Sequence, residues 1–188
     1  AITVKLGQRA REHIAARGLA PSDIACIPAA AGGPKGLALM PLDRWLFGDW
    51  LRCARDLTLV GASIGAWRMA AAAHEDPVAA LTELERGYIE DQNFGIKPSP
   101  REVAALMRGN VNTGFAQWRP RPDMTLHVLT SRATGVLDRN GSRGAFGRAG
   151  LANARGRRHL AHHLRRVVFT HGQDRGVAAA LFNSDAFG

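Results

Sequence analysis

The sequence predicts an α/β protein with a largely parallel central sheet, and three observations carry that prediction. Four short runs, 24–27, 57–60, 125–130 and 166–170, have the length and the apolar, β-branched content of strands. Segments with helical spacing separate them. Two of the runs lead straight into glycine-bearing turns followed by helical sequence, which is how strands of a parallel sheet hand the chain to their crossover helices. The expected architecture is therefore a three-layer α/β/α sandwich. With 188 residues and 20.2 kDa the chain fits a single domain, 1–188, with no internal repeat and no low-complexity linker.

In chain order, segment 4–17 places Leu6, Ala10 and Ile14 four residues apart among charges and stops at Gly18, the pattern of an amphipathic helix with His13 on its surface. The strand 24–27 runs into Ala31-Gly32-Gly33-Pro34-Lys35-Gly36. Segment 37–50 carries Leu37, Met40, Trp45 and Leu46 at helical spacing, with a kink or break expected at Pro41 and with Trp45, Phe47 and Trp50 read as packing residues. After the strand 57–60 a helix is expected to about Ala73. Asp76-Pro77 supplies an N-cap and first-turn pair for a helix to about Glu90, whose Glu83, Glu85, Glu90 and Asp91 form a solvated face. Ser99-Pro100-Arg101-Glu102 is a capping box opening a short helix to about Arg108. Segments 95–98, 109–122 and 139–150 read as loop, and 151–164 as a basic helix.

The stretch 57–67 carries the sharpest chemical signal. Gly61-Ala62-Ser63-Ile64-Gly65 places Ser63 at a strand-to-helix junction, where a nucleophilic serine belongs. Gly61 and Gly65 have a mechanical reason to be there, since a Cβ at either would collide with backbone packed around a strained turn. The following helix aims its N-terminal N–H groups at the place where negative charge would develop.

The loop 31–36 is the second such stretch. Consecutive glycines between strand and helix leave N–H groups free to converge on an anion. A P-loop would need GxxxxGK[ST] and a dinucleotide loop GxGxxG, and the sequence has neither here. An oxyanion hole for an acyl-transfer serine one βαβ unit later fits the spacing.

The net charge of +9 is concentrated. Nine arginines, the first Arg139 and the last Arg175, stand with one acid, Asp174, and carry +8 of it. Such an excess suggests an anionic partner, with an anionic membrane surface the expected one; the alternative is a solvated basic face, or one covered by acidic residues of another segment. No nucleic-acid module surrounds the arginines, so nucleic acid is not expected. His159, His162 and His163 lie among these cations, which argues against a metal site, and no cofactor motif is present. Cys26 and Cys53, both in apolar contexts, read as buried thiols of a reducing compartment. No apolar run nears the roughly 18 residues of a membrane span, and positions 1–10 do not form a secretory signal. A cytoplasmic protein with peripheral membrane contact is expected.

Two chemistries can activate Ser63. A Ser-His-Asp triad has His127, His159, His162, His163 and His171 downstream to draw on, none in a context that marks it. The other is a Ser-Asp dyad, and here the two glycine motifs together are informative. Ala31-Gly32-Gly33-Pro34-Lys35-Gly36 followed by Gly61-Ala62-Ser63-Ile64-Gly65 resembles the patatin-like phospholipases, over at least 24–73. That family has a Gly-Gly-Gly-x-Arg/Lys-Gly oxyanion loop, then a GxSxG serine, then an Asp-Gly-Gly/Ala motif. The resemblance implies a lipid acyl hydrolase acting on phospholipids or other fatty-acyl esters. Ser63 would be the nucleophile, the N–H groups of Gly32, Gly33 and Lys35 the oxyanion hole, and Gly36 a close-packing position. Ala31 stands in place of the first glycine, and Pro34, without an N–H, falls at the variable position.

The third motif is missing, because no Asp-Gly pair occurs in the 188 residues and Asp185 precedes an alanine. The sequence thus reads as the N-terminal part of a patatin-like domain, incomplete at its C-terminus and without an identified catalytic aspartate. The alternatives are a Ser-His-Asp esterase and a catalytically inactive membrane-docking or binding module.

Overall fold

Four strands form one open sheet in the order β1-β2-β3-β4, comprising β1 (Cys26–Ala29), β2 (Leu57–Ala62), β3 (Met124–Ala133) and β4 (Leu164–His171). The computed structural model describes residues 5–90, 118–134, 143–156 and 163–173, with positions 99, 102, 105, 106, 109, 159 and 176 singly. β1, β2 and β3 are parallel, with Ala29 opposite Gly61 and Ala62 opposite Leu129. β4 returns antiparallel, Val128 facing Phe169. The sheet is thus mostly parallel, as expected of an α/β protein, with one reversed strand at its edge. That reversal follows from where β4 begins: Thr134 N–H donates to His163 O at 2.8 Å, so the chain re-enters the sheet at the end where β3 left it.

One face of the sheet carries Ala29, Leu57, Leu59, Met124 and Leu126, and on it pack Phe47, Leu51, Met69, Ala72 and Ala73. These come from the segment before β2 and from α3 (Ile64–Ala72). A second cluster, Met40, Ala71 and Leu81, joins α2 (Met40–Trp45) and α3 to α4 (Pro77–Ile89). The opposite face presents Thr58, Val60, Thr125 and His127, all buried. Burial of both faces is what a parallel sheet requires.

Several local expectations need correction. Pro41 does not break a helix; it sits in the first turn of α2, where its missing N–H has no partner to lose. The helical segment is instead a 3-10 turn, Gly33–Leu39, then α2, then a π turn, Leu46–Trp50, closed by Leu51 N–H to Leu46 O at 2.6 Å. The first helix, α1 (Gln8–Arg17), buries no residue, so its amphipathic pattern is not used for packing. His13 stands beside Asp23, Nε2 to Oδ1 at 3.1 Å. Cys26 and Cys53 are exposed rather than buried, Cys26 because β1 is an edge strand and its side chain lies on the face away from the core. Trp45 is exposed while Phe47 is buried and Trp50 half-buried.

The expected loop 139–150 becomes helical from 143, opening α5 (Arg143–Arg155), and the expected basic helix 151–164 ends at Arg155. Strong helix formers between the glycines outweigh them, and Gly147 and Gly150, three apart, share an exposed side with open space around them. Gly156, at φ 130, cannot continue the helix. The caps behave as expected. Asp76 accepts from Ala79 N–H at 3.0 Å, and Ser99 and Glu102 exchange capping-box bonds of 2.6 and 3.3 Å. Gly109, expected in a loop, is helical. The 95–98 segment and Asp91 lie outside the described residues, while Glu83 and Glu90 pair with Arg86, and Glu85 with Arg44. Among the described residues no helix is long and apolar enough to cross a membrane.

The start of β3 is fixed by Arg121, which donates to Arg52 O at 3.1 Å, Ala54 O at 2.8 Å and both oxygens of Asp123. These hydrogen bonds, with desolvation opposing and Arg55 assisting, hold the Asp123 carboxyl at about 2, below the ordinary 3.8. A depressed carboxylate contributes stability that is present above the unfolded-state pKa and lost as pH falls toward the folded one. Urea midpoints should therefore fall between about pH 4 and pH 2 by an amount worth about 2 kcal/mol, and Asp123→Asn should flatten that part of the profile. An identical profile in the variant would refute the assignment.

Candidate active site

Ser63 occupies the residue between β2 and α3 and has φ 54 and ψ −128, one of two non-glycine residues with positive φ among those described. That conformation costs a β-carbon-bearing residue on the order of 1–3 kcal/mol and persists only where the surroundings impose it. The surroundings here are two glycines. A Cβ on Gly61 would stand 2.4 Å from Ala66 Cα, and one on Gly65 would stand 2.2 Å from Ala29 O and 2.8 Å from Ala30 O. Gly65 therefore lets α3 start directly against the end of β1, and Gly61 lets β2 pass under the first turn of α3.

Ser63 is exposed, and although it holds the N-cap position its hydroxyl makes no capping bond to the helix. Its carbonyl accepts from Ala66 N–H at 2.9 Å, so the backbone is committed to the turn while the side chain is left for other partners.

The glycine loop leaves β1 at the same end of the sheet, because Ala29 pairs with Gly61 two residues before Ser63. Gly33 has φ +55, a left-handed conformation that glycine adopts without strain. Ala31, Gly32, Pro34 and Lys35 are exposed and Gly36 is buried. A Cβ on Gly36 would lie 2.8 Å from Ile64 Cγ2, so the loop is seated on the first residue of α3. Pro34 opens the 3-10 turn at a position where a missing N–H removes no hydrogen bond. Gly36, Gly61 and Gly65 thus pack the loop, β2 and α3 together around the residue before α3, Ser63, and Gly32, Gly33 and Lys35 lie in the loop that leaves β1 at that end of the sheet. The chain matches no family model, no curated protein and no solved structure.

His127 is buried on β3 opposite Val60, three residues below Ser63, with Nδ1 2.9 Å from Thr170 Oγ1. His171 pairs with Leu126 lower still and meets the Trp118 ring edge-on at 5.0 Å between centroids. His163 precedes β4, and His159 stands singly in a turn after α5; His162 and Asp185 lie outside the described residues. Of the nine arginines between 139 and 175, the side chains of Arg155, Arg165 and Arg166 are described, Arg155 and Arg165 being exposed. Among the described residues no group of three His, Cys, Asp or Glu side chains could hold a metal ion.

Sequence reasoning missed one feature beside the site. Asp43 on α2 and Arg68 on α3 form a buried two-pronged ion pair, Nε to Oδ2 at 2.6 Å and an Nη to Oδ1 at 2.8 Å, with side chains 4% and 7% exposed. It fastens the helix that follows the glycine loop to the helix that follows Ser63. A signal was available: Asp43 shares helical spacing with Met40 and Phe47, and an acid on an apolar face needs a buried cation.

Proposed function

We infer that this chain carries the nucleophile and oxyanion elements of a serine acyl hydrolase of patatin-like type, acting on fatty-acyl esters such as phospholipids. The observation that carries the reading is the strained, exposed Ser63 held by Gly61 and Gly65 against the end of β1, beside a glycine loop. In this reading Ser63 Oγ attacks the ester carbonyl carbon while an aspartate takes its proton. The N–H groups of Gly32, Gly33 and Lys35 hold the oxyanion, and the proton leaves with the alcohol as the C–O bond breaks. Water then repeats the sequence on the acyl-enzyme and frees the fatty acid. The three-layer arrangement belongs to the same proposal, supported by the burial of both sheet faces.

The position of His127, buried and bonded to Thr170 below the level of Ser63, speaks against this one histidine as the base. A fluorophosphonate probe tests the reading. Intact mass and peptide mapping should place one adduct on Ser63, and the labelling should survive replacement of His127 by glutamine. Absence of an adduct on a folded protein would remove the nucleophile assignment. Labelling that requires a histidine would favour the triad.

A further inference from the structure

β3 outruns β2. Its last pair with β2 is Leu129 with Ala62, and 130–133 go on with β4 alone, past the end of the sheet at which Ser63 and the glycine loop stand. On this overhang Arg132 lies directly opposite Arg165 of β4, about 10 Å beyond Leu129 along the strand. Residues directly opposite share a face and bring their β-carbons to within about 4.5–5.5 Å. The face is the one that carries α3, because alternation along β3 puts Arg132 with Leu126 and Val128, which belong to the cluster containing Met69 and Ala72. Two bonds fix the ribbon on either side of the pair. The Thr130 hydroxyl donates to Val167 O at 3.2 Å, and Thr134 N–H donates to His163 O at 2.8 Å.

Like charges directly opposite each other weaken a strand pair. Neither strand compensates, since β3 and β4 contain no acid, and Arg132 and Arg165 are exposed and hold no carboxylate among the described residues. Elsewhere Arg44, Arg55, Arg68, Arg86 and Arg121 each hold one. The segments that meet at this end of the sheet, 29–37, 61–66, 129–134 and 163–166, carry Lys35, Arg132, Arg165 and Arg166 and no acid at all. We propose that Arg132 and Arg165 form a clip for a phosphate group, carried by a soluble phosphomonoester or by a lipid headgroup. Two guanidinium groups on neighbouring strands supply two positive charges and planar forks of N–H donors, which match the charge of about −2 and the three terminal oxygens of a phosphomonoester. Binding replaces the repulsion between the arginines with charge-assisted contacts to one shared anion. A carboxylate, with one charge, would leave half of the repulsion in place. The clip goes beyond the hydrolase reading and does not rest on it.

The test is calorimetric titration of the 188-residue chain with inorganic phosphate and, separately, with phosphatidylcholine vesicles containing phosphatidic acid, at an ionic strength held constant with chloride. Arg132→Gln and Arg165→Gln should each weaken binding at least about tenfold, the scale of a lost charge-assisted contact. Arg9→Gln, which removes the same charge from α1, and Ser63→Ala should bind as wild type does. Losses with both probes support the clip with the phosphate group itself as ligand, and binding and loss confined to the vesicles support it with a lipid headgroup as the source. Both arginines are exposed, so the variants should fold, with urea midpoints no lower than wild type because one of two opposed charges is gone. A wild type that binds neither probe, or glutamine variants that bind as wild type, would overturn the proposal. So would an equal loss in Arg9→Gln, which marks general charge, or a loss in Ser63→Ala, which moves the anion to the glycine turn. An oligonucleotide that displaces phosphate and binds more tightly as it lengthens would overturn it in favour of a nucleic-acid surface.

Discussion

Replacing Ser63 by glycine is expected to abolish ester hydrolysis and, at the same time, to raise the stability of the protein. The two effects have one cause. Ser63 is held at φ 54 and ψ −128 by the close packing at Gly61 and Gly65, a conformation that glycine adopts freely. Removing the side chain relieves strain on the order of 1–3 kcal/mol, offset by the greater freedom of glycine in the unfolded chain, about 0.4–1 kcal/mol. The net gain should be about 1 kcal/mol in urea unfolding. Ser63→Ala keeps the β-carbon and the strain, so its stability should stay within about 0.5 kcal/mol of wild type. In both variants hydrolysis of a fatty-acyl ester, measured on protein that includes the aspartate base, should fall by about four orders of magnitude or more, the scale on which loss of a nucleophile registers. Wild-type rates in Ser63→Ala would end the assignment of Ser63. A less stable Ser63→Gly would mean that the turn is relaxed and that its shape does not mark a functional site.

The part of this site that was legible in the sequence is the part in which backbone geometry restricts residue type. Glycine at 61 and 65 is demanded by contacts of 2.2 to 2.6 Å, and no other residue would fit, so the motif reports the turn directly. The strands were legible for a related reason, because burial of both faces leaves runs such as 57–60 apolar but for one buried threonine. What escaped depends on distant parts of the chain. The direction of β4 is set by where the connection from β3 returns, and a short apolar run looks alike read either way. The exposure of Cys26 depends on β1 being at an edge, which no local pattern encodes. Pro41 was misjudged because a proline ends one helix and starts another with equal ease, and the preceding 3-10 turn decided between them.

The ion pair between Asp43 and Arg68 joins stability to the site, and its removal should be the costliest single change at a side chain. Asp43→Ala would leave a guanidinium 7% exposed without its carboxylate, which predicts a loss of about 3–5 kcal/mol. A pair so deeply buried gains little over apolar contact, because each charge has given up water to enter. The double replacement Asp43→Leu/Arg68→Met should therefore recover most of that loss, and a double-mutant cycle in urea should show coupling well above the 0.5 kcal/mol expected of independent sites. Additive losses would show that the two groups do not act together. The same cycle read in kcat separates two roles. The pair ties α2, which carries the end of the glycine loop, to α3, which begins at Ser63, so its apolar replacement keeps the contact but gives up the fixed two-pronged geometry. If kcat returns with stability, packing alone sets the spacing between loop and serine. If stability returns and kcat stays low with KM unchanged, the directional hydrogen bonds set it, and a buried charge pair is retained there for position rather than for stability.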